Sequence, residues 1–447
     1  MLDIKFIREN KEAVQKNCQN RNVKCDIDAL LLLDDKRKNA LQFVEELQAE
    51  KNKLNNLIQT TDGEERKKLI EQGKATNNKT DEAKKELEEI LVEYANLLSQ
   101  IPNMTHPNAP IGKSDEENKE IEKYGEIPDF SAQGGPVSGW EPKGHEELME
   151  SLDIIDFKKA AEVAGSKFYY LKNEGVLLEM ALIQFALNKL VSKGFVPFIT
   201  PDLAKNSVLY GTGYNPRGDE TQIYSIENTD LSLIATAEIP MGGYHMNETI
   251  SEEKLPLKYV AFSHCFRTEA GAYGRHSAGL YRVHQFSKVE MFAYAAPEDS
   301  EKIHEEFKNI EVEIFKELEV PFRVVDICSG DLGGPAYRKY DLEAWMVSRN
   351  GWGEITSTSD TTTYQSRRLN IKMERGGKKE FLHMLNGTAI ATSRALIAII
   401  ENYQQADGSV KIPEVLKKYM PEGMDIIAKK AQKLKTVYSN PKKVPKS

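Results

Sequence analysis

Apolar and polar residues between positions 28 and 101 alternate in steps of three and four, which is the spacing of a coiled-coil seam. One seam comprises Leu30, Leu33, Arg37, Ala40, Val44, Leu47, Lys51, Leu54 and Ile58. A second comprises Leu69, Gly73, Thr76, Thr80, Ala83, Leu87, Ile90, Tyr94, Leu97 and Ile101. Between them, residues 61–64 combine turn residues with a helix-starting pattern. The pattern predicts an antiparallel helical hairpin about 45 to 50 Å long.

The two ends of this hairpin differ in their seam residues. Gly73, Thr76 and Thr80 lie nearest the turn, whereas leucine, isoleucine and tyrosine line the base, so we expect the turn end to be the more mobile. Basic clusters at 36–38, 66–68 and 84–85 are available for phosphate contacts, although each has acidic neighbours. A purely structural coiled coil is the alternative interpretation.

The character of the chain changes after the hairpin. Residues 101–144 are rich in proline, glycine and acidic residues, which indicates a linker or a set of surface crossings. Beyond them, apolar residues from 176 to 190 mark a helix that ends at Gly194, and residues 195–200 predict a strand stopped by Pro201. Helices and strands are therefore expected together in the second half of the chain.

Two neighbouring strands carry an unusual set of polar residues. We predict strands at 259–269 and 280–292, joined by a loop of small residues at 270–279. Period two places one set on a single face of the second strand: Arg282, His284, Phe286, Lys288 and Glu290. An exposed sheet with its polar residues outward is the alternative, but Arg267 and Glu269 at the end of the partner strand favour an anion-binding surface.

Length and composition narrow the class of protein. A chain of 447 residues with 40% hydrophobic and 29% charged residues is typical of a globular protein with two or three domains. The net charge of -9 argues against a generally basic surface, so any nucleic acid must be bound by local basic patches. No stretch approaches the roughly 20 apolar residues of a membrane helix, and residues 1–16 lack the uninterrupted apolar h-region of a signal peptide. We expect a cytosolic protein without membrane contact.

Five segments together resemble seryl-tRNA synthetase, a class II aminoacyl-tRNA synthetase. They are the opening MLDIKFIREN, TAE at 236–238, FRTEAG at 266–271, HQFSKVEMF at 284–292 and LNGT at 385–388. The likeness runs from Met1 to about Met420. It implies an α+β fold: an N-terminal tRNA-binding domain at 1–104 with the hairpin as an arm, a linker at 105–144, and a catalytic domain at 145–447 whose mostly antiparallel sheet is flanked by helices.

The resemblance assigns the ATP-binding residues. Arg267 would be the central catalytic residue on the α-phosphate, with Glu269 near the adenine amino group and Phe286 stacked on the adenine ring. Arg394, also catalytic, would contact the γ-phosphate and the other adenine face, and Arg282 would help to hold the departing pyrophosphate. This agrees with the chemistry, because the substrate carboxylate is already an anionic nucleophile and needs only alignment and charge neutralisation.

The resemblance also implies a metal site and a serine site. Glu354 and Ser357 match the positions that hold a magnesium or manganese ion between phosphates, although a spacing of three does not put both on one face of an ideal strand. The residues implied for serine are Thr236 and Glu238 at the amino group, and Glu290, Thr388 and Asn386 at the hydroxyl end. A pocket built to hydrogen-bond a hydroxyl rejects an analogue that lacks it by about 10⁴-fold.

A few positions depart from the family pattern. Asp360 stands where asparagine is usual, Thr363 lies near a position that is usually acidic, and Ser393 replaces a common glycine. These changes bear on the fine geometry of the metal and serine sites. They do not bear on the class of reaction, because the charged residues of the motifs are all present.

The implied partners are L-serine, ATP, serine tRNA held through its long variable arm by the hairpin, and a second copy of the chain in a homodimer. The resemblance assigns the homodimer interface to the helix and strand that end at Pro201. The family also charges selenocysteine tRNA where that exists. Two alternatives remain: a catalytically silent paralogue that binds RNA or protein, and a ligase for another small amino acid or a carrier protein. Arg267, Arg282 and Arg394 argue against the first, and the arm argues against a carrier-protein ligase.

Overall fold

The computed structural model describes residues 1–130, 140–214, 222–270 and 279–429. Contacts divide these residues into two units, Met1–Glu117 with Cys328–Ala336, and Asn118–Ile327 with the chain from Tyr337 onward. The α-helices of the described residues are α1 Ile4–Glu9, α2 Lys11–Asn20, α3 Ile27–Thr60, α4 Gly63–Gln100, α5 His145–Ser151, α6 Phe157–Ala164, α7 Glu174–Ser192, α8 Asn206–Thr212, α9 Glu238–Gly243, α10 Ser300–Glu317, α11 Tyr364–Leu369, α12 Thr392–Asn402 and α13 Glu414–Lys417.

The first unit contains the predicted hairpin, formed by α3 and α4. Each seam position named from the spacing is buried or partly buried, which confirms the coiled-coil pattern. Helix α3 begins at a side-chain cap, because Asp26 accepts a hydrogen bond from the Ala29 N–H at 2.8 Å. At the base of the hairpin a small core forms where the two helices meet α1 and α2; its fully buried members include Ile7, Val14, Leu30, Leu98 and Ile101.

A buried carboxylate interrupts the apolar seam next to Leu33. The Asp34 side chain has no solvent exposure and pairs with three cations, Arg8 at 2.9 Å, Arg37 at 2.8 Å and Lys38 at 2.8 Å. Burial alone would raise the pKa of Asp34, but these three partners lower it to about 2. Arg37 also lies over the Tyr94 ring of α4, with 5.0 Å between the guanidinium carbon and the ring centroid. The ion cluster therefore links the two helices of the hairpin.

The second unit is built on one large sheet. The strands of the described residues are β1 Lys119–Tyr124, β2 Ile155–Asp156, β3 Tyr170–Leu171, β4 Val196–Ile199, β5 Leu203–Lys205, β6 Leu231–Leu233, β7 Thr249–Ser251, β8 Leu257–Phe266, β9 Gln285–Ala295, β10 Phe322–Asp326, β11 Arg338–Met346, β12 Gly351–Asp360, β13 Lys372–Arg375, β14 Lys378–Phe381, β15 His383–Ala391, β16 Val410–Lys411 and β17 Ile426–Ile427. Among the described residues, eight of these strands form the large sheet, in the order β1-β10-β11-β12-β15-β9-β8-β4, and neighbouring strands are antiparallel except β4 and β8. The predicted α+β fold is confirmed.

Helices α7, α10 and α12 cover one face of the sheet and form the main core with it. Helix α7 is long and apolar enough to cross a membrane by composition alone, with a mean hydropathy of 1.4. The expectation that no segment of the chain approaches the length and apolar character of a membrane helix was therefore too strong. In the structure, Leu178, Leu182 and Phe185 of α7 are buried in this core, as expected of a core helix.

Two strand predictions and the linker prediction need correction. Strand β8 ends at Phe266 and β9 begins at Gln285, so four of the named polar residues lie outside the strands in which they were predicted: Arg267, Glu269, Arg282 and His284. The chain leaves the extended conformation because Glu269 has a φ of 50° and the His284 N–H donates to the Lys167 carbonyl, outside the sheet, at 3.1 Å. The loop residues 271–278 lie outside the described residues. Strand β1, within the segment predicted as a linker, pairs with β10 at the edge of the sheet.

Candidate active site

Two β-bulges shape the face of the sheet opposite α7, α10 and α12. In β12, Thr356 pairs with Leu342 and Glu354 pairs with Glu343, so Ile355 has no partner in β11. The extra residue shifts the alternation by one position, and as a result Glu354 and Ser357 lie on the same face. This bulge explains how Glu354 and Ser357, three residues apart, can share a face, which they could not do in an ideal strand.

The second bulge lies in β15. Thr388 pairs with Glu290 and Ile390 pairs with Val289, which leaves Ala389 without a partner. Cross-strand partners share a face, so Thr388 lies beside Glu290 on the face that also carries Asn386. Bulges often adjust side-chain directions next to active sites, and both of these lie among the residues predicted for metal and serine.

The Glu238 carboxylate is held by three polar side chains. It begins helix α9, is 8% exposed, and accepts hydrogen bonds from Gln365 at 2.6 Å, Asn386 at 3.0 Å and the Tyr214 hydroxyl at 2.9 Å. Thr236 is buried, and its hydroxyl oxygen accepts from the Glu238 N–H at 3.2 Å. Burial and the nearby Glu290 charge raise the pKa of Glu238 despite these donors. A bound cation would relieve this desolvated charge.

Glu290 forms a second buried acidic group on β9. Its carboxylate lies 2.5 Å from the Lys288 ammonium and 3.3 Å from the Thr388 hydroxyl, and the Lys288 and Glu290 side chains are only 7% and 2% exposed. The charges of these two residues balance each other. The five residues predicted to bind serine are thus joined in two groups, Thr236 with Glu238 and Asn386, and Glu290 with Thr388.

The residues predicted for the nucleotide lie where β8 ends and β9 begins. The Arg267 guanidinium stands over the Phe286 ring, 5.3 Å from its centroid, and its Nε donates to the Ala235 carbonyl at 3.4 Å. Arg282 pairs with Glu269 at 3.2 Å, where the arginine side chain is 45% exposed and the glutamate side chain is 8% exposed. A flat ring with an arginine on its face and a second, accessible arginine nearby suits an aromatic anion.

Arg394, on α12, pairs with one of the residues predicted to hold the metal. Its guanidinium lies 2.8 Å from the Glu354 carboxylate, and 4.9 Å separates its central carbon from the Tyr281 ring centroid. Burial alone would raise the pKa of Glu354, but the charges of Arg394, Lys339 and Arg267 lower it. The influence of Arg267 on Glu354 places the nucleotide residues and the predicted metal residues in one electrostatic field.

The donor set around Glu354 fits a hard divalent cation that is completed by substrate phosphates. Among the described residues, no three His, Cys, Asp or Glu side chains are grouped so as to hold a metal ion alone. Asp341 pairs with Ser357 across β11 and β12, is 5% exposed, and has one buried oxygen, Oδ1, without a hydrogen-bond partner. Carboxylate and hydroxyl oxygens suit Mg²⁺, which commonly takes only one or two protein carboxylates.

Sequence patterns missed several residues of this site. Gln365 and Tyr214 hold Glu238, Tyr281 lies against Arg394, and Asp341 faces Ser357. Gln365 and Tyr214 are distant in sequence from the recognised segments, so only the fold brings them to the site. Asp341 was detectable in principle, because it alternates with Lys339 and Glu343 on one strand.

Two family models match the chain. Residues 1–105 match the model of the seryl-tRNA synthetase N-terminal domain, and residues 222–403 match the class II tRNA synthetase core domain for G, H, P, S and T. The serine–tRNA ligase of Treponema denticola is 54% identical over 423 residues, which cover 94% of this chain and 98% of that protein. That of Rubrobacter xylanophilus is 52% identical over 429 residues, covering 96% and 99%.

Solved structures give the same result. Seryl-tRNA synthetase from Pyrococcus horikoshii, complexed with ATP, superposes with a TM-score of 0.83 at 40% identity and covers 96% of this chain and 100% of that one. The cytoplasmic serine–tRNA ligase from Naegleria fowleri, in complex with AMP, has a TM-score of 0.80 at 31% identity, covering 96% and 99%. With both family models and near full-length relatives in agreement, the chain belongs to the serine–tRNA ligase family.

Proposed function

We propose that the residues around Arg267 perform the reaction of this family, in which ATP activates L-serine as seryl-adenylate and the seryl group is transferred to serine tRNA. The observation that carries the proposal is the placement of Arg267. It stands over Phe286 and acts electrostatically both on Glu354 and on Tyr214, the partner of Glu238. An α-phosphate at Arg267 would therefore lie between a nucleotide site and a pocket lined by buried acids.

The acidic pocket suits serine. Glu238, whose carboxylate is desolvated, would receive the substrate ammonium together with Thr236, and the raised pKa of Glu238 would fall once that cation is bound. Glu290, with Thr388 and Asn386, would hold the hydroxyl end. Alanine and glycine lack the hydroxyl and would bury this end of the pocket without the hydrogen bonds that serine makes there, and threonine would be excluded by size.

Phosphate chemistry in the site depends on positive charge. Arg267 would neutralise charge that develops on the α-phosphate, while Phe286 and Glu269 would fix the adenine. Arg282 and Arg394 would hold the departing pyrophosphate. No general base is needed, because the serine carboxylate is ionised at neutral pH.

We include Mg²⁺ in the proposal, held by Glu354 and Ser357. Bound there, the ion would neutralise phosphate charge. The two residues would orient it, because the bulge at Ile355 gives them a common face. Asp341, with its buried free oxygen, is close enough in the sheet to fix Ser357.

Serine-dependent ATP–pyrophosphate exchange tests the site. Replacement of Arg267 by alanine should lower kcat by about 10² to 10³, the range for loss of one charge-stabilising donor. Arg375→Ala, which removes an exposed arginine paired with Glu252, serves as the control. Full activity in R267A would contradict the proposal. Exchange measured with serine, alanine, glycine and threonine distinguishes this activity from that of a ligase for another amino acid.

We also propose that the hairpin of α3 and α4 binds the variable arm of serine tRNA, and of selenocysteine tRNA where a host makes it. The match to the seryl-tRNA synthetase N-terminal domain supports this role, as do the basic clusters at 66–68 and 84–85, whereas Arg37 and Lys38 of the cluster at 36–38 are paired with Asp34. Replacing residues 41–87 by a short turn shortens both helices and keeps Leu30, Leu98 and Ile101 in the basal core. Pyrophosphate exchange should persist while tRNA charging is lost; loss of both would argue against separate roles.

A homodimer and a cytosolic location complete the proposal. Helix α7 and strand β4 expose apolar side chains in the second unit: Val176, Leu177, Met180, Val191, Val196 and Ile199. An apolar face of this kind is typical of an interface between subunits. The similar serine–tRNA ligase from Naegleria fowleri is the cytoplasmic one, which supports the same location here.

A further inference from the structure

We propose that His145 is a positioning residue of the nucleotide site. Its ring fixes the backbone at Leu280, and the fixed position of Leu280 in turn places the next two residues, Tyr281 and Arg282. The inference rests on the proposed roles of Arg282 and Arg394 in phosphate binding. His145 is the first residue of α5, is 5% exposed, and was not singled out by any sequence pattern.

Its two ring nitrogens have opposite partners. Nδ1 lies 2.7 Å from Oε1 of Glu401, and Nε2 lies 3.2 Å from the Leu280 backbone nitrogen. The Leu280 N–H can only donate and an ionised carboxylate can only accept, so the ring is neutral with its proton on Nδ1. Both ring nitrogens are thereby satisfied in a buried site.

Glu401 is itself fixed by several donors. Its Oε1 also accepts from the His145 N–H at 3.0 Å, and its Oε2 accepts from the Ser348 N–H at 3.0 Å. The carboxylate is fully buried at the far end of α12, the helix that carries Arg394. His145 therefore has a rigid anchor on the element that positions a phosphate-binding arginine.

The approach of the chain to His145 is tight. A Cβ atom on Gly279 would overlap Nε2 of His145 and lie 2.6 Å from Cγ of Glu146, and Gly279 has a φ of +62°. Only glycine allows the backbone to come this close in this conformation. The position of Leu280 is thus set by contact with the imidazole ring and not by the sheet, because β9 begins only at Gln285.

The next two residues reach the site. The Tyr281 ring lies between two guanidinium groups, with its centroid 4.9 Å from the central carbon of Arg394 and 4.4 Å from that of Arg349. Arg282 follows and pairs with Glu269 at 3.2 Å. A displacement at Leu280 would therefore move both the aromatic support of Arg394 and the Arg282 side chain.

Two substitutions separate positioning from simple burial. In His145→Asn the amide nitrogen can replace Nδ1 and donate to Glu401, but the side chain is too short to reach Leu280. In His145→Gln the amide oxygen can replace Nε2 and accept from the Leu280 N–H, while the bond to Glu401 is lost. H145N loses the neutral hydrogen bond to Leu280, and H145Q loses the charge-assisted hydrogen bond to Glu401. Both bonds are buried, so both variants should unfold at a lower temperature than the parent.

The full-length enzyme is assayed by pyrophosphate exchange. H145N should raise the KM for ATP about three- to tenfold, the effect expected of one lost hydrogen bond, with less than about a twofold change in the KM for serine. H145Q should keep the KM for ATP near that of the parent. An unchanged KM for ATP in H145N, or an equal rise in both variants, would overturn the proposal.

Further variants keep the test decisive. If H145N does not fold, Gly279→Ala can be used instead, because its methyl group would push the backbone at Leu280 away from the intact His145 ring. This variant should raise the KM for ATP and not the KM for serine. An unchanged KM for ATP in G279A would also overturn the proposal. Arg282→Ala and Arg394→Ala test the nucleotide assignment itself. If they leave ATP binding unchanged, the proposed function of these arginines fails, whatever the two His145 variants show.

Discussion

Gln365 illustrates how a neutral residue can control a charged site. It is fully buried, and its amide donates to Glu238 at 2.6 Å and to the Thr212 carbonyl at 2.9 Å. Gln365→Leu would leave the carboxylate with one donor fewer in a desolvated pocket. We expect the KM for serine to rise about ten- to hundredfold, with little change in the KM for ATP, in pyrophosphate exchange.

Ser366→Ala is the matched control for this substitution. Ser366 is the next residue on α11 and is equally buried, but its hydroxyl donates to the Leu382 carbonyl at 2.6 Å, away from Glu238. A similar loss of serine affinity in both variants would show that Gln365 acts only on the packing of α11.

Asp360 makes a prediction about pH. It is 5% exposed, and burial raises its pKa to about 6 even though the Ser300 hydroxyl and the Thr362 N–H donate to it. An acid with a raised folded-state pKa contributes stability below its unfolded pKa of about 3.9 and loses it as the pH rises through about 6. Asp360→Asn keeps a neutral acceptor for Thr362. It should therefore stabilise the protein by up to roughly 3 kcal/mol at about pH 8, and by about half as much at about pH 5.

Thermal unfolding of the parent and D360N at these two pH values gives the measurement. An equal difference in stability at both values would mean that the carboxyl group does not titrate between them. An asparagine could keep both contacts, with its amide oxygen accepting from the Thr362 N–H and its amide nitrogen donating to the Ser300 hydroxyl oxygen.

At the residue scale, the sequence was informative where chemistry is concentrated in short segments. Arg267, Glu269 and Phe286 could be proposed for the nucleotide because they lie in recognisable segments, and the structure brings the first and third into contact. Gln365, Tyr214 and His145 were missed, since an isolated glutamine, tyrosine or histidine gives no periodic signal. Their partners, Glu238 and Leu280, are distant along the chain in every case, so only tertiary structure connects them.

At the element scale, the hairpin was the feature easiest to predict. Its period is long and regular, and it continues through polar seam residues such as Arg37 and Lys51 without losing register. The strand ends were harder, because the return of the chain near Leu280 depends on His145 and Lys167, which belong to other parts of the fold. The bulge at Ile355 was also missed, since an unpaired residue has no signature of its own in the spacing.

Substitution of Asp34 tests how much its ion cluster stabilises the hairpin. Replacing it by asparagine would leave Arg8, Arg37 and Lys38 without their common partner, at a cost of roughly 2 kcal/mol. Because the folded-state pKa of Asp34 is lowered to about 2, its contribution is present above the unfolded pKa and lost only as the pH falls toward 2. The penalty should therefore be constant between about pH 5 and pH 8.

Hydrogen exchange in α3 and α4 measures this effect directly. Asp35→Asn is the control, since Asp35 pairs with Arg8 at 2.7 Å but its side chain is 53% exposed, and exposed ion pairs contribute little. Equal loss of protection in D34N and D35N would indicate that burial of Asp34 is not important.

At the scale of the whole molecule, the exposed face of α7 and β4 makes the proposed dimer testable. Met180 is 56% exposed and Ile199 is 83% exposed. Glutamate at both positions would place charge in an apolar interface, so the mass in solution should fall from two chains to one. Light scattering after size exclusion gives the mass. Val163→Glu, at a residue of α6 that is 71% exposed, should leave it unchanged.

If the variant with glutamate at positions 180 and 199 still has the mass of two chains, the contact between subunits lies elsewhere. Hydrophobic spacing alone does not define this face, because exposed and buried apolar residues alternate along α7 and cannot be separated before the neighbouring sheet is known. Only the family resemblance assigned a dimer interface to this helix and strand. The expected parent mass of two chains came from the family resemblance.

The unpaired Ile355 has a consequence for how β12 can change in length during evolution. Loss of a single residue from a strand normally turns all the side chains on one side of the gap to the opposite surface. Loss of Ile355 would not, since Glu354 and Ser357 would then stand two apart and still point the same way. Homologues that are one residue shorter here should therefore lack this position and keep both oxygen donors.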